Sequence, residues 1–391
     1  MRDTALRIVE PAAPPAPKGG VRLTRLTLSD FRSYSRLDLA LDGRTVALSG
    51  PNGAGKTNIL EAISLLGPGR GLRGAALDEI ARQGGPGGWA VSARLSSSED
   101  DRAIGVGALA GEENRRVARI DGASASGPAA LADLVRLLWL TPAQDRLFME
   151  GPVERRRFLD RMTLTHDPAH GRASNDYETA MRQRQRLLDD GRRDDRWLAA
   201  LETQMAEAGV AIASARRDMA GALAAAAVAG DDGPFPAADI ALEGALETML
   251  ANAPAAEVED DFAAALKAGR GADAAAGRAL QGPHRSDVLV THRAKGAPAR
   301  LCSTGEQKAL LIGLVLANAR ALQYRASGAP LILLLDEIAA HLDADRRAAL
   351  YDILDALGLQ CVMTGTDASL FAAWGPRAQR FCVAAGAARE I

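Results

Sequence analysis

The stretch GPNGAGKT, residues 50–57, constrains the fold more than any other part of the chain. It has the form G-x-x-x-x-G-K-[ST], follows the apolar run TVALS and opens NILEAISLL, whose apolar residues have helical spacing. Strand, glycine-rich loop and helix in that order make a phosphate-binding loop; a plain glycine-rich turn is the competing reading and needs neither flank. The cradle is Gly50, Pro51, Asn52, Gly53, Ala54 and Gly55. Its glycines let the backbone wrap closely and aim N–H groups at phosphate oxygens, and the helix N-terminus adds its dipole. Lys56 can reach the β- and γ-phosphates of a nucleotide, and the Thr57 hydroxyl can ligate a metal ion. The expected cofactors are ATP and Mg²⁺.

A second stretch completes that chemistry. LILLLDEIAAHLD, residues 331–343, runs five aliphatic residues into two adjacent carboxylates, Asp336 and Glu337. An unbroken aliphatic run suits a central parallel strand buried on both faces. In a phosphate-loop fold its tip delivers Asp336 to the Mg²⁺ shell, and Glu337 faces the γ-phosphate as the base for an attacking water. The other reading is a strand that reaches solvent and stops. On the first reading Lys56 and Glu337 are the catalytic residues, Thr57 and Asp336 the metal ligands.

The two stretches lie about 280 residues apart, and the intervening chain changes character. Residues 21–31 alternate apolar and polar, as half-buried strands do. Short strands and glycine-rich turns then continue to about residue 141. From there to about 280 the pattern is helical with charged faces; Trp197, Leu198, Leu201, Met205, Ala208, Ile212 and Met219 fall at helical spacing, as in a hairpin or short coiled-coil arm. An α/β pattern returns at SDVLVTH. The expected organisation is a Pro-rich disordered leader over 1–20, the first part of an α/β head over 21–142, a helical arm over 143–281 and the rest of the head over 282–391.

Composition narrows the partners. The net charge is −2, so nucleic acid must be met by a local patch and not by a bulk field. Residues 143–196 are nearly charge-balanced, so contact there requires one-sided clustering. Three cysteines, widely spaced and without a C-x-x-C pair, argue for a reducing compartment and against a zinc site or disulfide framework. No stretch approaches the ~20 apolar residues of a membrane span, so a cytoplasmic protein without a membrane partner is expected.

A third element separates subclasses. CSTGEQKALL, residues 302–311, precedes a long apolar helix and is similar to the signature turn of ABC-type ATPases. Ser303 would cap the helix, with Gly305 and Glu306 in its first turn. A helix start without a phosphate of its own suits a γ-phosphate held by a second subunit. AAHLD, residues 339–343, then resembles a D-loop, with Asp343 near the dimer seam. An ABC transporter's nucleotide subunit has a much shorter gap between the two stretches; a P-loop kinase needs an acceptor pocket and no signature turn. A long helical insertion is the plan of SMC-like heads. The expected fold class is therefore α/β, a P-loop ABC-type ATPase head with an inserted helical arm.

Within that group the chain resembles the RecF family. LTLSDFRSY (26–34) looks like the family's opening strand and Phe-Arg turn. GPVERRRFLDR (151–161) resembles its Gly-x-x-x-Arg-Arg-x-Phe-Leu-Asp segment, and GPHRSD (282–287) its Gly-Pro-His-Arg-Asp-Asp segment, with Ser286 a departure. The resemblance covers residue 21 to the end. It implies an ATP-dependent homodimer that clamps single-stranded or gapped DNA, a RecR-like mediator as partner, weak DNA-dependent ATPase activity and promotion of RecA loading.

Other positions stay open. Gln144 is either the glutamine that senses metal and water or a solvated loop residue. Thr364 or Thr366 stands where transporters place a switch histidine. His284 and Arg285 either touch phosphate or DNA or serve structure, and Arg155, Arg156 and Arg157 are either a basic contact or a solvated helix face.

Overall fold

The computed structural model describes residues 20–97, 100–112, 115–191, 194–228, 233–323 and 330–391. The leader expected over 1–20 therefore lies outside the described residues, apart from Gly20. In chain order, β1 (Arg22–Phe31) and β2 (Tyr34–Ala40) form a hairpin, and β3 (Thr45–Ser49) leads through the glycine-rich loop into α1 (Lys56–Ser64). Next come β4 (Trp89–Ser96), β5 (Asp101–Ala108), β6 (Val117–Ile120), β7 (Ala123–Ser124) and β8 (Arg136–Leu140). Three helices follow: α2 (Pro152–His166), α3 (Ala169–Asp189) and α4 (Asp195–Val228). Then come β9 (Ala238–Glu243), α5 (Ala245–Met249), α6 (Ala255–Ala268), α7 (Arg270–Ala276), β10 (Asp287–His292) and β11 (Ala297–Pro298). The chain closes with α8 (Thr304–Gln323), β12 (Leu331–Leu335), α9 (Ala344–Ala356), β13 (Gln360–Gly365), β14 (Ala378–Ala384) and β15 (Ala387–Glu390).

The central sheet has the order β15-β14-β3-β13-β12-β8 and is parallel except at β15. Every residue of β12 is buried. Leu331, Leu333 and Leu335 enter the core beneath α2, α8 and α9, while Ile332 and Leu334 enter the core shared with α1 and the antiparallel sheet. This is why the run has no polar break: alternate side chains leave opposite faces, and both faces are dry. The second sheet, β2-β1-β4-β5-β6-β7, is antiparallel throughout. The Gln360 side chain joins the two sheets through the backbone N–H and C=O of Leu23, at 2.7 and 2.9 Å.

The segment expected to be a helical arm divides in two. Its first part and the end of α4 belong to the head: Phe158, Leu159 and Met162 of α2, with Met219 and Leu223 of α4, share a core with α8. It also contains β9, which pairs antiparallel with β10 beyond the expected boundary. The remainder packs around its own core, with Tyr177, Leu187, Leu198, Leu201, Met205 and Phe262 at its centre. α3 and α4 form the hairpin, and α4, at 34 residues, is about 50 Å long. Leu198, Leu201, Met205, Ile212 and Met219 of the expected stripe are buried, but Trp197 is half exposed. It stands in the first turn of α4, where spacing alone does not tell core from tip.

GPHRSD is the joint between arm and head. The Tyr177 hydroxyl and His284 Nδ1 are 2.9 Å apart, and His284 Nε2 lies 3.1 Å from the Ala279 carbonyl. Pro283 and Ser286 carbonyls accept from Arg216 and Arg156. Ser286 donates to Glu247, and Asp287 accepts two bonds from Arg155. Four of the six residues thus tie helices to strands, and burial depresses the His284 pKa.

Candidate nucleotide site at the carboxyl ends of the parallel strands

β3, β12 and β13 are parallel neighbours or next neighbours, so their carboxyl ends converge. The loop after β3 brings Lys56 and Thr57; the tip of β12 brings Asp336 and Glu337; the end of β13 brings Thr364. Thr57 Oγ1 donates to Asp336 at 3.0 Å to Oδ1 and 3.2 Å to Oδ2. Thr364 Oγ1 donates to Asp336 Oδ1 at 2.7 Å and accepts from the Glu337 N–H at 2.9 Å. One fully buried hydroxyl therefore fixes the carboxylate and orients the next residue. Thr366, the other candidate there, is exposed.

Glu337 has φ 53°, in the left-handed region. A non-glycine residue there costs about 1 kcal/mol or more, and such strain concentrates at functional sites. The turn swings Glu337 off the strand axis, so the adjacent carboxylates do not follow the strand's alternation.

The phosphate loop closes on its own lysine. Lys56 Nζ donates to the carbonyls of Gly50 at 2.6 Å and Pro51 at 2.9 Å, and is nearly buried. Desolvation lowers its pKa, while Glu337 and Asp336 act in the opposite sense. Gly55, with φ 103°, caps α1, and a Cβ there would meet the Tyr34 hydroxyl at 2.5 Å. Tyr34 is fully buried, its hydroxyl has no hydrogen-bond partner among the described residues, and burial pushes its pKa up to about 12. Beside the loop, Glu61 accepts both Arg32 at 2.9 and 2.6 Å and Arg73 at 2.6 Å, and Arg73 also reaches Asn58 at 2.8 Å.

Gln144 lies in the turn after β8, beside the tip of β12, where the Asp336 N–H donates to the Leu140 carbonyl at 2.9 Å. Its Oε1 accepts from the Thr141 N–H at 2.9 Å, so the side chain closes its own turn. The next residue, Asp145, accepts from Lys308 of α8 at 2.9 Å, tying this turn to the signature helix.

At the head of that helix Ser303 and Glu306 cap each other. Glu306 Oε2 accepts from the Ser303 N–H at 2.9 Å and hydroxyl at 3.0 Å, and Lys295 pairs with the same carboxylate. Lys295 first, then Ser303, hold the Glu306 pKa down at about 2. Gly305 is different from the loop glycines: nothing lies within 4 Å of a Cβ placed there. It stands in the first turn of α8, and no contact among the described residues requires a glycine there. Asp343 accepts from the Arg346 N–H at 2.8 Å and caps α9.

Several contacts had no signal in the sequence reading. Arg73 and Arg32 on Glu61, and Lys308 on Asp145, join residues far apart in the chain by ordinary charge pairs. Of the arginine run, Arg155 and Arg156 are bound to Asp287 and Ser286, and Arg157 is exposed with Glu154. Arg285 is exposed.

A hydroxyl and a carboxylate facing a phosphate loop form an oxygen donor set that suits a hard cation completed by phosphate oxygens. Among the described residues no group of three or more His, Cys, Asp or Glu side chains forms a protein-only metal cage, so a cation here depends on such outside oxygens. Fold and site together define an ABC-type ATPase head of the SMC kind, and residues 22–377 match the family described as RecF/RecN/SMC N terminal domain. The chain belongs to the RecF family. It is 56% identical over 359 residues to the DNA replication and repair protein RecF of Mesorhizobium japonicum, covering 91% of this chain and 94% of that protein. It is 53% identical over 368 residues to RecF of Rhizobium johnstonii, covering 94% and 98%. Among solved structures, the recombination mediator protein RecF-ATPrS of the RecFOR pathway is similar with a TM-score of 0.80 at 20% identity, covering 96% of this chain and 100% of that one. The Smc head domain of Pyrococcus furiosus bound to the C-terminal domain of ScpA gives 0.53 at 16%, covering 95% and 96%. These two carry the fold. Family membership removes the kinase and transporter-subunit readings that the phosphate loop alone left open. Among the described residues no helix is long and apolar enough to cross a membrane.

Proposed function

We propose that this chain is a DNA-repair ATPase in which ATP, with Mg²⁺, joins two copies into a clamp on single-stranded or gapped DNA. The observation that carries the reading is the junction of Thr57, Asp336 and Thr364 facing Lys56, in a head whose signature turn has its own exposed helix start. Bound Mg²⁺ would neutralise phosphate charge and polarise the γ-phosphate. Lys56 exchanges the Gly50 and Pro51 carbonyls for phosphate oxygens. Thr57 and Asp336 would hold the metal, with Thr364 keeping the carboxylate in place. Glu337, turned away from the strand, orients the attacking water and takes its proton. Gln144, released from its bond to Thr141, would reach the metal and the attacking water. Ser303 and the vacant side of Gly305 act on the nucleotide of the second copy. Hydrolysis is slow, stimulated by DNA, and releases the clamp. A RecR-like mediator, promotion of RecA loading and a cytoplasmic site of action complete the reading.

Sedimentation of Glu337→Gln tests it. The variant should bind ATP and hydrolyse it about 10²-fold more slowly, the loss expected for a general base. It should sediment as a dimer with ATP and a monomer without, and retain gapped DNA only in the dimer. Equal sedimentation with and without ATP sinks the clamp.

A further inference from the structure

A cleft of about 830 Å³ opens between the glycine-rich loop 67–74, the turn holding Gln144, and helices α2 and α3. None of the phosphate-loop residues 50–57 lines it. Its floor carries two cations in an incomplete setting. Arg116 donates to the Leu65 and Gly67 carbonyls at 3.3 and 3.4 Å, and Arg161 to the Pro68 carbonyl at 3.3 Å. Arg161 also lies over the Trp139 ring, 3.7 Å from its centroid. These bonds are long, and a guanidinium has five donors, so most of each fork is unused. Among the described residues neither makes an ion pair; Asp160 acts on Arg161 from a distance, and no carboxylate acts on Arg116. Burial lowers both pKa values to about 10.

The loop above adds charge of the same sign. Arg70 is exposed and makes no ion pair among the described residues, and Arg73 shares the single carboxylate Glu61 with Arg32. The acids of the cleft stand elsewhere or are spent. Glu154 pairs with Arg157, and Asp160 with Arg216 and His170. Glu150 and Glu178 belong to the α2–α3 side. Positive charge is therefore concentrated at the loop end, in a chain whose net charge is −2.

Arg116 and Arg161 are half-buried, and desolvated cations with no carboxylate in direct contact are costly unless an anion completes them. The cleft lies outside the nucleotide loop and its cations come from three separate elements, which suits several phosphates in sequence better than one. We propose that the loop end of this cleft seats the phosphate backbone of a DNA strand, with Arg70, Arg116 and Arg161 as its contacts. Glu150 and Glu178 repel phosphate from the helical side, confining the strand to the loop. The inference rests on the DNA-binding reading above and names its site.

The test is fluorescence anisotropy of a fluorescein-labelled gapped duplex on the full chain, with ATP, over a potassium chloride series. Arg70→Ala and Arg116→Gln should each weaken binding several-fold and reduce the salt slope by about one. Arg389→Ala, on β15 at the opposite edge of the central sheet from β8, should change neither and controls for loss of charge. Arg70 is exposed, so its variant folds and decides the matter even where Arg116→Gln does not. If the parent binds and Arg70→Ala binds with the same affinity and slope, the cleft is not the seat, while DNA binding stands. A parent that fails to bind at low salt overturns both.

Discussion

The two halves of the candidate ATPase machinery, carried by one head, are in different conditions. The half at the strand tips is dry and assembled: Lys56, Asp336 and Thr364 are buried, and each is held by groups of the same chain. The half at the head of α8 is exposed, and its donors are taken up by a local carboxylate. On the proposed reading the first half needs a nucleotide with its metal, and Lys56 to exchange the Gly50 and Pro51 carbonyls for phosphate. The second has a serine satisfied by its own cap and a glycine with open space beside it among the described residues. On the same reading the pre-assembled part acts within a head, and the exposed part meets the second copy. The Asp145–Lys308 bridge links the turn at the first half to the helix of the second.

The largest break in this comparison comes from Lys56→Ala. It removes the one cation of the loop and leaves phosphate charge uncompensated beside Asp336 and Glu337. Charge-assisted hydrogen bonds of this kind are worth about 1.5–3 kcal/mol each, so ATP affinity should fall by about 10²-fold, measured by titration with a fluorescent ATP analogue. Equal affinity in variant and parent would show that the assembled half is not the nucleotide's seat.

The same contrast governs what was legible from the amino-acid sequence. The loop and the aliphatic strand are contiguous motifs, and their chemistry follows from residue order: glycines for close backbone, a lysine for phosphate, carboxylates at a strand tip. The alternation of Leu331 to Leu335 between two cores is the physical form of the unbroken run. Contacts made by folding were not legible. Thr364 and Thr366 were equivalent on paper; burial at the end of β13 separates them. Glu306, expected only to stand in the first turn of the helix, turns out to close a reciprocal cap with Ser303, because side chains three apart meet at a helix start. His284, open between phosphate contact and structure, is packed into the arm joint by Tyr177. The arm's span was readable as helix but not as two units, since apolar spacing does not say which core a face enters.

Ser303→Arg addresses the exposed half. Monomer ATP affinity should match the parent, because the assembled half is untouched, while ATP-driven dimers should weaken about tenfold or more from bulk at the seam. Dimerisation is the readout, since arginine's charge partly compensates at a phosphate. Mixing with Lys56→Ala sharpens the result. Each mixed dimer can form one composite site, from the Ser303 variant's loop and the Lys56 variant's signature turn. Partial recovery of hydrolysis supports action across the dimer; no recovery, with Ser303→Arg still dimerising on ATP, assigns hydrolysis to a single head.

The smallest effect is expected from Glu306→Gln, and it probes the same half from the other side. In the parent, the Ser303 N–H and hydroxyl both face a carboxylate, so an incoming γ-phosphate competes with an anion already in place. Glutamine keeps the size and the capping geometry of the third helical position but removes the charge. ATP-driven dimerisation should then reach its midpoint at an ATP concentration about two- to threefold lower, while the urea midpoint falls only slightly, because the exposed pair with Lys295 contributes little. The sign of the pH dependence follows from Lys295 and Ser303 holding the Glu306 pKa down at about 2. A depressed acid contributes its stabilisation above its unfolded value and loses it only as pH falls toward the folded one. Between about pH 6 and 9, well above the usual glutamate range, the carboxylate stays charged, and the ratio of parent to variant midpoints should be flat. A ratio that varies across that range would mean another titrating group governs the seam. A midpoint that moves to higher ATP instead would mean that the Glu306 carboxylate, with Lys295, helps the partner's phosphate bind.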